Sequence, residues 1–390
     1  MAGILILFHC ESNPGFAAAS HEVTFFRMAE NIVRSHKDIH FAYRTLEHGL
    51  SPTLPKELIN IIEFDAASKS PEHLTRIENY IREHNISIVF GFDQPVRRKA
   101  YAYLRRGGVK HFISYWGAPM SSINRGIKLL LKRLEVALTF HQPDHYIFQS
   151  EGMRDSAISG RGIPRQRTSI VRTGINTDRF SPPAAVDWYA HDQFGIDRSR
   201  KIVFFSGHME ERKGVHIIVK TAVHLIHELG RKDVHFLILG NKPGQEERFS
   251  PLYKGTTAEP HVTFGGYRGD VPQLLKSCSI GMIASTGWDS FPMSSAEMAA
   301  TGLPLLISDL PGLRDAVTPE TGLLFPVGDH KAAAAQIELL LDNENQRREM
   351  GMKGRQRVLE TFSNSQQISG MEQIVRSVAG LRVTPSSTLP

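Results

Sequence analysis

Residues 287–297 read Gly287-Trp288-Asp289-Ser290-Phe291-Pro292-Met293-Ser294-Ser295-Ala296-Glu297. Two carboxylates, Asp289 and Glu297, stand eight positions apart across a turn that opens a short helix of small residues. Pro292 presets φ for a helix start, and the hydroxyls of Ser294 and Ser295 stand where the first backbone N–H groups lack partners. Gly302 stops the helix, and Leu303-Pro304-Leu305-Leu306-Ile307-Ser308 reads as the next strand. A helix start in an α/β sheet favours a phosphate through its free N–H groups and its dipole. The flanking carboxylates cannot ligate phosphate, but each can accept two hydrogen bonds from sugar hydroxyls. Phosphate beside sugar points to a nucleotide-sugar site.

The 390 residues are long for one core and ample for two, with 41% hydrophobic and 22% charged residues. Cys10 and Cys278 lie far apart in apolar contexts, which argues against a disulfide framework or a cysteine zinc site and fits a reducing compartment. The start, Met1 to His9, lacks a basic segment and a cleavage site and reads as a buried first strand. No stretch approaches the roughly 18 apolar residues of a membrane span, so a soluble or peripheral cytoplasmic protein is expected. Net charge is +6 but uneven. Between Gln94 and Arg133 there are ten basic residues and no acidic one.

Short apolar runs alternate with helical patterns from end to end, the mark of parallel sheets built from βα units. Strands are expected near 3–9, 39–45, 86–92, 109–116, 145–150 and 167–173, and again near 201–206, 234–239, 261–265, 280–285, 303–308 and 322–325. Arg179-Phe180-Ser181-Pro182-Pro183 reads as a linker, because two prolines block regular structure. The expected division is an amino-terminal domain over 1–183 and a carboxyl-terminal domain over 184–360. A closing helix over 361–378 packs back on the first domain, and a disordered tail covers 379–390. Each domain reads as doubly wound and Rossmann-like, with the ligand in the cleft they face, at the carboxyl ends of the strands.

The second domain opens with the strand Ile202–Ser206, then Gly207-His208-Met209-Glu210-Glu211-Arg212-Lys213-Gly214. A glycine lets the backbone approach an anion and Lys213 supplies a point charge, although a strand, a polar loop and a helix recur in many α/β proteins.

These stretches together resemble the family 4 glycosyltransferases of the GT-B fold. SGHMEERKG (206–214) is similar to the family's G-R-x(4)-K-G diphosphate loop. DSFPMSSAEMAATGLPLLISDLPGLRDAV (289–317) resembles its E-x(7)-E block with the following G-x-P. IVRTGINTDRFSP (170–182), GLLFPVGD (322–329) and ASHEVTFFRMAENIV (19–33) match three further signatures in the same order. The resemblance implies retaining transfer of a sugar from a nucleoside-diphosphate sugar to a glycan, lipid-linked or small-molecule acceptor, with no metal and no cofactor. No D-x-D triplet is present.

By the family pattern, catalytic positions fall at Asp289, over the donor sugar, and at Lys213 and His208, at the diphosphate. Donor contacts fall at Gly207, Arg212, Gly240, Tyr267, Phe291, Met293 and Ser294, with Glu297 taking the ribose hydroxyls. The acceptor side falls at Gly15, His21 and Trp116. Four positions depart from the pattern. His208 replaces an arginine, and histidine lacks arginine's planar fork. Asp289 is one methylene shorter than the usual glutamate. Trp116 stands where a histidine often lies and can stack on a sugar but not act as a base. Ser20-His21 replaces a double glycine. These departures leave an alternative: a member that binds a nucleotide sugar without turning it over.

Residues 123–138 carry Arg125, Lys128, Lys132 and Arg133 at helical spacing beside leucines. With the cluster from Arg97 to Lys110, this basic stretch over 97–133 fits an anionic membrane surface. It equally fits a solvated face of a helix packed on the sheet. No nucleic-acid-binding motif is present, and nucleic acid is not an expected partner.

Overall fold

The computed structural model describes residues 3–13, 16–287, 289 and 293–382. Gly15 and Phe291, and the part of the expected tail beyond 382, lie outside the described residues.

The chain divides into two compact units, Met1–Arg172 with Ser365–Pro390, and Thr173–Asn364. The first unit holds a seven-stranded parallel sheet. Its strands are β1 (Gly3–Leu7), β2 (Ile39–Tyr43), β3 (Asn60–Glu63), β4 (Ile86–Phe92), β5 (His111–Trp116), β6 (His145–Phe148) and β7 (Thr168–Ile170), in the spatial order 3-2-1-4-5-6-7. Every residue of β1 is buried. Ile4 and Ile6 pack with Phe25 and Phe41 on one face, and Leu5 and Leu7 pack with Leu74 and Ile77 on the other. Such two-sided burial is why the strands read as continuous apolar runs rather than alternating ones.

The second unit repeats the plan with β8 (Lys201–Ser206), β9 (Val234–Leu239), β10 (Val262–Phe264), β11 (Ile280–Ile283), β12 (Leu305–Ser308) and β13 (Gly322–Phe325), ordered 10-9-8-11-12-13. All its pairings are parallel. Strand order reverses between β1 and β4 in the first unit and between β8 and β11 in the second. Such switch points leave a crevice at the carboxyl edge of the sheet.

Two sequence expectations need correction. β3 was not anticipated: Asn-Ile-Ile-Glu is short, polar at both ends and only half-buried at the sheet edge, and its register comes from pairing with β2. The boundaries at 183/184 and 360/361 fall instead at 172/173 and 364/365. The proline-bearing stretch is no free linker. Phe180 is buried in the second core, Ile175 N–H donates to Phe362 O at 2.8 Å, and Arg355 donates to the carbonyls of Thr177 and Phe180. The helix Asn364–Val378 returns to the first unit, where Met371 and Val375 join the core and Gln367 donates to Tyr115 Oη at 3.0 Å.

Candidate functional site

At the carboxyl edge of the second sheet, the loops after β8, β9 and β10 are fastened edge to edge. Gly207 N–H donates to Leu239 O at 3.1 Å, and Gly240 N–H donates to Gly266 O at 2.8 Å. Asn241 Oδ1 accepts from Gly266 N–H at 2.8 Å. Gly240 has φ 103°, and a Cβ there would lie 2.2 Å from Gly207 O. Gly214 ends the loop after β8 at φ 68°, and its Cβ would lie 1.7 Å from Ala284 O. Only glycine permits both approaches.

This fastening brings Lys213 to Asp289. Lys213 Nζ donates to Oδ1 at 2.9 Å and to Oδ2 at 2.8 Å. Ser285 Oγ donates to Oδ2 at 2.7 Å, and Ser308 Oγ donates to Ser285 O at 2.7 Å. Arg212 adds a guanidinium nitrogen 3.8 Å from Oδ1, while its Nε donates to Glu210 at 2.7 Å. The Asp289 side chain is buried, and the charged groups around it balance it. Sequence reading set Lys213 on a diphosphate and Asp289 on a sugar; the structure pairs them directly.

Glu297 lies in the helix Met293–Ala300, which also supplies Met293 and Ser294 at its start. Burial pushes its carboxyl up to about 7, against the opposing pull of the Arg179 guanidinium. His208 and Tyr267 stand together on the exposed loops, with Tyr267 Oη 3.1 Å from His208 Nδ1.

In the first unit, His21 is not at a helix start. It lies within the helix Phe16–Ile32, buried between Phe25, Phe92 and Tyr115 at ring distances of 5.4, 5.2 and 5.5 Å. Burial lowers its pKa to about 4, so the ring is neutral, and Nδ1 has no partner. Trp116 ends β5 half-buried, with its indole N–H also unpartnered.

Sequence reasoning passed over four residues. Asp93 follows β4 at φ 52°, an uncommon conformation outside glycine, and accepts from Gly117 N–H at 2.7 Å. Burial raises its carboxyl to about 6, opposed by His9, whose Nδ1 lies 3.9 Å from Oδ2. A carboxylate directly after a strand, Phe92-Asp93-Gln94, was the available signal. Arg179 and Ser285 carried none, because only the fold brings them to Glu297 and Asp289. Among the described residues, no group of three or more His, Cys, Asp or Glu side chains is placed to hold a metal ion.

Comparison with known proteins gives a consistent picture. Residues 14–179 match the model described as Glycosyltransferase Family 4, and residues 187–357 match that described as Glycosyl transferases group 1. The chain is 24% identical over 217 residues to the lipopolysaccharide core biosynthesis mannosyltransferase LpsB of Rhizobium meliloti, covering 54% of this chain and 61% of LpsB. It spans about half to three-fifths of the length of the curated relatives it matches. A glycosyltransferase from Rickettsia africae superposes with a TM-score of 0.80 at 15% identity, over 97% of this chain and 99% of that one. Anabaena HepE in complex with UDP superposes at 0.74 and 15% identity, over 96% and 100%. The fold is GT-B.

Proposed function

Because the chain belongs to the family 4 glycosyltransferases, we propose that it transfers a sugar from a nucleoside-diphosphate sugar to a glycan, lipid-linked or small-molecule acceptor. Transfer proceeds with retention and without a metal. The carrying observation is the Lys213–Asp289 pair with Glu297 eight residues on, at one sheet edge. Glu297 accepts the ribose hydroxyls, and the amides at Met293 and Ser294 face the diphosphate. Gly207 and Gly240 give close backbone approach. Arg212 and Lys213 stabilise the charge that develops on the departing nucleoside diphosphate, with Asp289 left free for sugar hydroxyls once Lys213 turns to phosphate. His208 and Tyr267 act as a unit beside them. In the first unit, acceptor recognition falls to His9, Asp93 and Trp116, with His21 shaping the wall behind. HepE was solved with UDP, so UDP-sugars are the first donors to examine.

The acceptor reading extends to an anionic membrane surface at the cytoplasmic face. On the helix Gly126–Leu138, Ile127 is 77% exposed and Leu130, Leu131, Leu134 and Leu138 are exposed too, as is Phe140 beyond it. Lys128, Lys132 and Arg133 are interleaved with them. Exposed leucines among cations suit an interface better than open water. No helix among the described residues is long and apolar enough to cross a membrane.

Titration calorimetry with UDP, GDP, ADP and dTDP, followed by product analysis with the sugar of the tightest binder, tests the proposal. Binding of one base class and turnover of its sugar are expected. A chain that binds none of them overturns it.

A further inference from the structure

A cavity of about 640 Å³ is lined wholly by the second unit. It lies at the edge of the sheet opposite the loops described above. Lys201 opens β8, Ser279 precedes β11, and Leu303 with Pro304 precedes β12, so these lining residues gather where the parallel strands begin. Gly207, Gly240 and Asp289 all follow strand ends. The volume lies within the range of small-molecule sites.

Its charge is one-sided. Seven arginines and lysines line it, against one carboxylate, Asp187. That carboxylate is engaged by the Ser277 hydroxyl at 2.8 Å and the Tyr189 N–H at 2.7 Å. Arg347 is buried and donates to Leu340 O at 2.8 Å, while Arg355 donates to the carbonyls of Thr177, Phe180 and Ala300. Neither they nor Arg200, Lys201 and Lys276 form an ion pair among the described residues. Of the other two, Arg198 pairs with Asp192 at 2.8 Å and Arg348 lies 3.8 Å from Glu344. The five unpaired cations repel one another unless an anion joins them.

Two further features belong to the same wall. Trp188 offers a half-buried indole, with the Arg198 guanidinium 5.6 Å from its ring centre. His191, only 3% exposed, sets Nε2 3.0 Å from Arg200 O, and its Nδ1 has no partner. An aromatic ring beside clustered guanidinium groups, with the Arg347 side chain buried among them, makes a built site rather than a patch of surface charge.

We propose that this cavity binds a phosphorylated small molecule, independently of the donor site. Guanidinium groups match the paired oxygens of phosphate, and several cations within one concavity suit an ion of two or more charges.

The test is calorimetric titration of the full chain with inorganic pyrophosphate, beside the variants Lys276→Glu/Arg348→Glu and Lys276→Gln/Arg348→Gln. Lys276 is half-buried and Arg348 is exposed; Arg348 makes only a loose contact with Glu344, at 3.8 Å. Either variant should lose one pyrophosphate site or bind there at least about tenfold more weakly, while UDP binding stays as in the parent chain. The neutral pair serves if the charge-reversed pair does not fold. Unchanged pyrophosphate binding in a folded variant overturns the proposal. So does binding to phosphatidic acid vesicles with none to soluble pyrophosphate, which would assign the cations to a lipid headgroup.

Discussion

Lys213 and Asp289, 76 positions apart in the chain, are joined through both carboxylate oxygens at 2.9 and 2.8 Å. The pair ties the loop after β8 to the loop after β11, one on each side of the strand-order reversal. Removing one partner strands a buried charge, whereas removing both does not.

Lys213→Ala should therefore destabilise the fold by about 3 kcal/mol, and Lys213→Met/Asp289→Leu should recover most of that loss. Urea melts measure both. Transfer should be abolished in each. Equal stability of the single and double variants would show that the contact is incidental.

The Glu297 carboxyl is raised from the usual 4.5 to about 7 by burial. Between those values the folded chain holds a proton that the unfolded chain has released, so stability falls as pH rises from 4.5 to 7. Glu297→Gln should remove that slope from the pH dependence of the melting temperature. Only the ionised carboxylate accepts from two ribose hydroxyls. Affinity for UDP should thus rise about tenfold between pH 6 and 8, and an unchanged affinity would take Glu297 off the ribose.

Gly214→Ala and Gly240→Ala set a methyl against carbonyl oxygens at positive φ. Each should cost more than about 3 kcal/mol or prevent folding of the second unit. Gly195 shares the left-handed backbone, φ 62°, but faces open space. Gly195→Ala should cost only about 1 kcal/mol. Thermal melts of the three variants separate crowding from conformation.

Leu130→Ser/Leu131→Ser/Leu134→Ser should release the chain from phosphatidylglycerol vesicles in co-sedimentation without altering UDP binding. Lys128→Glu/Lys132→Glu should do the same and make residual binding insensitive to salt. Retention of both variants on the vesicles would leave this helix with no membrane role.

Transfer activity should persist in millimolar EDTA, since cations from the chain itself neutralise the leaving diphosphate. Activity restored only by added divalent ions would refute metal independence.

The alternation of apolar runs and helices made both sheets legible, because buried parallel strands leave uninterrupted hydrophobic blocks. The edge strand Asn60–Glu63 escaped notice because its conformation is borrowed from β2. At the site, local signals such as the glycines of the β8 loop and the small-residue helix at 293–300 were readable. Pairings over long separations were not. Nothing near Lys213 announces Asp289, nothing near Glu297 announces Arg179, and His21 looked polar until Phe25, Phe92 and Tyr115 closed around it.

Because the helix Asn364–Val378 supplies Met371 and Val375 to the first core, the second unit is an insertion within the first. During synthesis the residues from Thr173 to Asn364 can collapse as a continuous segment while the earlier sheet still waits for its last helix. Truncation after Asn364 would therefore remove part of the first core while leaving the sequence of the second unit whole.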